Sequence, residues 1–221
     1  VVGLGRDSGR FSAVVKGARK GKTRLAGLLE PPVELEGSLR PGRNLDGLSQ
    51  LQLRRAFAGL RQNLDGLLAA GFLSRLFTEA LPERSPSEGA FELFGNLLER
   101  LTARSNVAVT ALWGQDRLLL ELGIPPQIEI CLGCGSDQVR GYSPRDGGML
   151  CASCYCGSGF AVPAGVLDGL RNLRGLEADD PLPTMNPATV REIGRIYKQQ
   201  FQQHLGLPDR VFRPVLPKRP S

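Results

Sequence analysis

Histidine occurs once in this chain of 221 residues, at His204. That scarcity excludes most acid–base chemistry. A histidine-based hydrolase would need this one residue as its base, and no serine or cysteine nucleophile motif accompanies it. His204 falls in the last turn of an expected helix, where a cation is favoured by the helix dipole. A phosphate-cradling Gly-x-x-x-x-Gly-Lys-Ser/Thr loop is also absent. The nearest stretch, Gly17-Ala18-Arg19-Lys20-Gly21-Lys22, has the wrong spacing. Asp179-Asp180 lies in a proline-bearing polar loop and makes a poor two-carboxylate metal site. No apolar run approaches the ~18 residues that a membrane span requires. The amino end is charged and strand-like rather than a signal peptide. It opens on Val1-Val2 without a methionine, which implies a preceding segment. Nothing here reads as an enzyme.

What the chain does have is cysteine in a telling pattern. Cys131-Leu132-Gly133-Cys134 and Cys151-Ala152-Ser153-Cys154 are two Cys-x-x-C pairs separated by sixteen residues. Such a pair turns a tight knuckle that sets two sulfurs on one side. Two facing knuckles make the tetrahedral thiolate site that Zn²⁺ prefers, and the spacing suits a zinc ribbon. Gly141-Tyr142-Ser143, the turn Asp146-Gly147-Gly148 and Met149-Leu150 supply the hairpin between them. Four thiolates close the coordination shell, so the expected role is structural. Five cysteines is an odd number for disulfides. Cys156 is the spare thiol, able to replace Cys154 or to lie idle beside the site.

Charge is unevenly spread. The net charge is +6. From Val1 to Arg24, Asp7 is the only acid against Arg6, Arg10, Lys16, Arg19, Lys20, Lys22 and Arg24. Such a cluster can follow a sugar-phosphate backbone without reading sequence. The competing interpretation is a solvated loop that aids solubility. Phe11 is the segment's only aromatic, few for a single-strand binder that stacks bases.

Val1 to Leu4 and Arg10 to Lys16 read as a strand hairpin around Arg6-Asp7-Ser8-Gly9, and Val33 to Leu39 as a third, half-buried strand. Short strands with loops between them fit an OB-like barrel. Ser49 and Gln52 read as a capping box, with Leu48 and Leu53 as its staple. The helix then runs through Phe57, Leu60 and Leu64 to a stop at Gly71, with a second short helix from Phe72 to Leu81. Ser85 reads as an N-cap with Pro86 behind it, ahead of a helix lined by Phe91, Phe94 and Leu97. A helix follows from Asn106 to Leu122, ended by Gly123. Pro163 to Leu173 is helical, and a last helix starts at Asn186-Pro187 and ends at Gly206. Phe57, Phe91, Phe94 and Phe201 are expected in the core. Helices on both sides of the ribbon should pack together, making it an insertion.

The order of these parts resembles the bacterial recombination mediator family RecO. The stretches that carry the resemblance are Val15-Lys16-Gly17-Ala18-Arg19-Lys20 with Thr23-Arg24-Leu25-Ala26-Gly27-Leu28-Leu29-Glu30-Pro31, then Leu118 to Pro126 with Cys131-Leu132-Gly133-Cys134-Gly135. Gly147 to Cys151 and Phe201 to Leu207 continue it. The chain departs from the family in lacking its first strand, in having Cys156, and in its proline-rich end after Pro208. The resemblance implies a non-enzymatic protein that binds single- and double-stranded DNA and anneals complementary strands. It also implies contact with the C-terminal tail of single-strand binding protein, and help, together with RecR, in loading RecA. It implies DNA contacts at Lys16, Arg19, Lys20 and Arg24. Arg10 and Lys22 join them on charge alone. The metal set is Cys131, Cys134, Cys151 and Cys154.

The expected fold is therefore α+β and multidomain. An OB-like barrel over 1–47 is followed by a helical domain over 48–130 and 158–208, interrupted by a four-cysteine zinc ribbon over 131–157 and ending in a basic tail over 209–221. The expected location is the bacterial cytoplasm, on the nucleoid. The competing functions are a zinc-stabilised RNA-binding or ribosome-associated protein, and a protein–protein adaptor that binds no nucleic acid.

Overall fold

A computed structural model describes residues 1–16, 18, 28–30, 32–43, 45–103, 106–155 and 159–213. Strands β1 (Val2–Gly5) and β2 (Gly9–Val14) form the expected hairpin, paired antiparallel from Val2↔Ser12 to Gly5↔Gly9. Gly9 is required at its turn. Its φ is +65°, and a Cβ there would lie 2.2 Å from the Ser85 carbonyl oxygen. Strand β3 (Glu34–Arg40) pairs antiparallel with β4 (Asp46–Arg55), and β4 runs parallel to β2 at Ala13↔Asp46 and Val14↔Gly47. The sheet order is β1-β2-β4-β3. It does not close into a barrel among the described residues, which corrects the expected barrel to an open sheet.

The helix expected from Ser49 is strand β4, so the sheet extends beyond the boundary at 47. Leu51 and Leu53 alternate with Gln50, Gln52 and Arg54, a period of two. Partners distant in sequence decide between the two patterns. Across the hairpin Arg54 pairs with Glu36, Arg55 with Glu34, and the Ser38 hydroxyl donates to Gln50. The leucine spacing that mimics a helix continues into real helix only later. Phe57 is buried at a φ of +45°, a short 3-10 turn covers Ala58–Gln62, and helix α1 (Leu64–Ala80) starts at Asn63, whose side chain accepts from the Gly66 amide.

Gly71 does not stop α1. The buried stripe Ala70, Leu73, Leu76, Phe77 and Ala80 crosses it, and burying that stripe outweighs the ~1 kcal/mol cost of an internal glycine. Helix α2 (Glu88–Thr102) is capped by Ser87 rather than Ser85, because the Ser87 hydroxyl accepts from the Ala90 amide at 3.0 Å. Ser87→Ala is expected to cost about 1 kcal/mol in urea denaturation while Ser85→Ala leaves the midpoint in place. Phe94 packs on Phe77 with ring centroids 5.0 Å apart, and Arg6 lies over Phe91. Phe91 and Phe94 are only half-buried, whereas Phe57 and Phe201 are in the core.

The chain divides into two compact units, 1–104 and 105–221. Helices α1 and α2 therefore belong with the sheet, not with the helices that follow the ribbon. In the second unit, Asn106 caps helix α3 (Val107–Glu121) and Gly123 ends it at a φ of +71°. Strands β5 (Val139–Ser143), β6 (Gly148–Cys151) and β7 (Phe160–Ala161) form a small sheet in the order β6-β5-β7. Helix α4 (Ala164–Gly175) follows. Then α5 (Pro187–Leu205) starts on an Asn186 cap and ends at Gly206, whose φ is +64°. As expected, α3 packs against both α4 and α5 across the intervening ribbon. Leu118, Leu119, Leu170, Ile193 and Phe201 are fully buried there. Among the described residues no helix is long and apolar enough to cross a membrane.

Candidate metal centre and nucleic-acid interface

The two Cys-x-x-C turns have matching local hydrogen bonds. The Gly135 amide donates to the Cys131 carbonyl at 2.8 Å, and the Tyr155 amide to the Cys151 carbonyl at 2.9 Å. Glycine is needed inside the first turn. A Cβ on Gly133 would lie 2.9 Å from Cys154 Sγ, and Gly135 takes a φ of +75°. Backbone bonds from Leu132 to Met149 and from Met149 to Gln127 fix the first knuckle against β6. All four sulfurs lie within 4.8 Å of one another.

The donor set fits a tetrahedral divalent ion. Zinc–thiolate bonds of ~2.3 Å place neighbouring sulfurs ~3.8 Å apart. Cys134 and Cys151 have their sulfurs at 3.6 Å, far beyond the ~2.05 Å of a disulfide. The protons also show the need for a cation. Amides of Cys151, Gly133 and Cys134 donate to the Cys131 sulfur and hold its pKa down to about 6. The Cys154 amide likewise lowers Cys151. The sulfurs of Cys151, Cys134 and Cys131 push Cys154 up to about 12. At Cys134 the Ser136 amide pulls downward, but the neighbouring sulfurs outweigh it and leave the thiol raised. Four thiolates cannot ionise together in so small a space unless a positive ion joins them. Cys156 lies outside the described residues.

The ribbon is bound into its unit by a buried polar chain that the sequence did not reveal. Tyr142 donates to Gln200 on α5, and the Gln200 amide donates to the Ile124 carbonyl at 2.8 Å. Burial raises the Tyr142 pKa, so the phenol remains a donor. Deeper in the unit, Asp116 is fully buried and accepts from Arg174 at 2.8–3.0 Å through Nε and Nη2, and from the Tyr197 hydroxyl at 3.1 Å.

The six residues expected at DNA are placed unequally. Arg19, Lys20, Lys22 and Arg24 lie outside the described residues. Lys16 is exposed just past the end of β2. Arg10 is tied into the fold. Its Nε donates to the Leu81 carbonyl at 3.0 Å, and its own carbonyl accepts from the Arg84 amide. The strand register sets the exposed Arg40-Pro41-Gly42-Arg43 stretch, which the sequence did not flag, ahead of the start of β4, while the chain at Lys16 continues past Val14 in the opposite direction.

A sheet unit with exposed cations, followed by a helical unit that carries a four-thiol ribbon, defines a two-part α+β protein with a candidate structural metal centre. Residues 1–57 match the family model Recombination protein O N terminal, and residues 61–211 match Recombination protein O C terminal. The chain belongs to the recombination protein O family. It is 31% identical over 212 residues to a protein named DNA repair protein RecO from Anaeromyxobacter sp. (strain K), covering 92% of this chain and 83% of that one. The protein of the same name from Rubrobacter xylanophilus is 31% identical over 208 residues, covering 90% and 81%. That from Rhodopirellula baltica is 29% identical over 211 residues, covering 88% and 78%. The match between residues 57 and 61 breaks where β4 has ended and the 3-10 turn begins.

Proposed function

We propose that this chain is a recombination mediator in DNA repair. It binds single- and double-stranded DNA, anneals complementary strands and, with RecR, helps load RecA onto strands coated by single-strand binding protein, whose C-terminal tail it contacts. The observation that carries this reading is the match of residues 1–57 and 61–211, in order, to the two family models. In this reading the chain catalyses no covalent step, consumes no nucleotide and works on the nucleoid in the bacterial cytoplasm.

The physical basis of annealing is charge. Two complementary strands are polyanions, and their repulsion must be screened before bases can meet. Cations at the sheet unit supply that screening while leaving base edges free to pair. Zn²⁺ held by Cys131, Cys134, Cys151 and Cys154 is the structural ion, and it supplies the charge that lets four thiolates share one site. It braces the ribbon and takes no part in contact with DNA.

The test is annealing of complementary strands coated with single-strand binding protein, with structured RNA as competitor in a parallel binding assay. The chain is expected to accelerate annealing, and single-stranded DNA to outcompete RNA. Removing charge at Lys16, Arg19 and Lys20 is expected to lower the salt-dependence slope of single-strand binding by about 2, at ~0.7 per neutralised phosphate. Normal binding by that variant at moderate salt would remove the sheet unit from the mechanism. Preference for RNA would favour an RNA-binding protein, and absence of nucleic-acid binding by the folded chain would favour an adaptor.

A further inference from the structure

The four thiols of the ribbon are not equally covered. Cys131 and Cys151 are 1% and 7% exposed, packed with Leu150, Val139 and Tyr155. The Tyr155 ring lies close over Gly141, where a Cβ would meet it at 2.4 Å, so an aromatic face closes that side of the cluster. Cys154 is half-buried, and Cys134 alone among the four is exposed. Cys134 stands between two glycines. A Cβ on Gly135 would have nothing within 4 Å, so the knuckle is open to solvent there.

Exposure decides which sulfur an oxidant meets first. The thiolate is the nucleophile toward peroxide, and it reacts only where it can be reached. Cys131 and Cys151 become reachable only when the ribbon opens, whereas Cys134 needs no opening. A partner for it is already in place on the other knuckle. The Cys151 sulfur lies 3.6 Å from that of Cys134, and closing by about 1.5 Å reaches the ~2.05 Å of a disulfide. Glycine on both sides of Cys134 leaves its backbone free to make that move.

We propose that Cys134 is the entry point of an oxidative switch, in which a peroxide joins it to Cys151 and the ribbon gives up its metal. The Cys134 thiolate attacks one oxygen of hydrogen peroxide. The O–O bond breaks, hydroxide leaves, and Cys134 becomes a sulfenic acid. The Cys151 thiolate then attacks the Cys134 sulfur. An S–S bond forms, the S–O bond breaks, and a second hydroxide leaves. Solvent supplies a proton to each hydroxide. Two thiolates are thus oxidised by two electrons, and one peroxide is reduced to two waters.

The remaining pair, Cys131 and Cys154, offers two donors where a tetrahedral ion needs four. This rests on the reading of the four cysteines as a zinc site, and gives that site a chemical trigger. The bond from Tyr142 on β5 to Gln200 on α5 carries the change from the ribbon into the helices of the same unit. Oxidation then loosens the second unit as loss of the metal does, and a dithiol supplied with zinc reverses it.

The experiment treats the zinc-loaded whole chain with hydrogen peroxide. Zinc release is read with a colorimetric chelator, free thiols by titration, and the new bond by mass spectrometry of peptides. The chain is expected to lose its zinc together with two of its five free thiols, and the mapped bond is expected to join Cys134 to Cys151. Dimedone, which traps sulfenic acid, is expected to label Cys134 before any other cysteine. A dithiol reductant with zinc is expected to restore both thiols and metal. C134H keeps four donors, three sulfurs and an imidazole, and is expected to hold zinc and to lose the rapid release. Release from zinc-loaded C134H as fast as from the parent chain overturns the switch. Where C134H holds no zinc, the parent chain decides, because a first label elsewhere or a bond that omits Cys134 or Cys151 overturns it too. Zinc retained through peroxide treatment overturns the switch and leaves the zinc reading intact. A chain that takes up no zinc before peroxide is added overturns the zinc reading and the switch with it.

Discussion

Replacing Asp116 with alanine is expected to destabilise the second unit by about 3–5 kcal/mol, the range for breaking one side of a buried ion pair. The carboxylate is fully buried, and three of its hydrogen bonds come from the Arg174 guanidinium. Arg117 lies close by, with Nη2 donating to the Leu173 and Arg174 carbonyls at 3.2 and 2.6 Å and a buried Nε that has no hydrogen-bond partner. Removing the anion leaves the Arg174 guanidinium without its counter-ion and takes away the acceptor of the Tyr197 hydroxyl. Burial already lifts the Tyr197 pKa well above its ordinary value, with Asp116 adding to it, so the phenol cannot escape the change by ionising. Trp113 is the chain's only tryptophan, lies in this unit and has Arg117 over its ring at 5.8 Å. Its fluorescence therefore reports this transition selectively in urea denaturation. D116N, which keeps shape and loses charge, should fall between alanine and wild type. D116L/R174M, which removes both charges, should recover much of the stability. A change below ~1 kcal/mol in D116A would place the network with surface pairs of little consequence.

That network shows where sequence reading stops. Asp116 meets Arg174 across 58 residues and Tyr197 across 81. In sequence each is an ordinary polar residue on a helix, and nothing local announces that the three share one dry site. The parts that were legible are those whose chemistry is local. Asn106 and Asn186 cap their helices because a side-chain oxygen reaches an amide three residues ahead. Gly123 and Gly206 end helices because they take positive φ. The four cysteines were legible because each pair makes its own knuckle and only the pairing of the two knuckles is non-local.

The misreadings have the same origin. Leu48 to Leu60 offers both a helical and a strand period, and β3 decides between them by supplying Glu34, Glu36 and Ser38 as partners. Gly71 would end a helix in isolation, but the buried stripe on either side of it carries α1 onward.

Loss of the metal is expected to have the other large effect. Chelation, or C131S/C151S, is expected to lower the melting midpoint seen through Trp113 by on the order of 10 °C or more, and to abolish stoichiometric zinc binding. The reason lies in how the ribbon is held together. The cluster of Cys131, Leu150 and Cys151 with Val139, Cys154 and Tyr155 is small, and β6-β5-β7 is too short a sheet to stand without its ion. Disordering the ribbon would also release Tyr142 from Gln200, and so loosen α5. The dependence on pH follows from the thiols. Each ligand must be a thiolate, so zinc displaces the proton that Cys154 otherwise keeps up to about 12. Cys131 is already ionised above about 6, held so by the Cys151 amide. As pH falls through that value, Cys131 competes for a proton as well, and both apparent zinc affinity and the stability linked to it decline. Zinc release followed with a colorimetric chelator is therefore expected to increase as pH falls, and more steeply below that value than above it. If the midpoint and the Trp113 signal did not move while zinc was released, the ion would be bound without bracing the fold, and the four thiols would need another role.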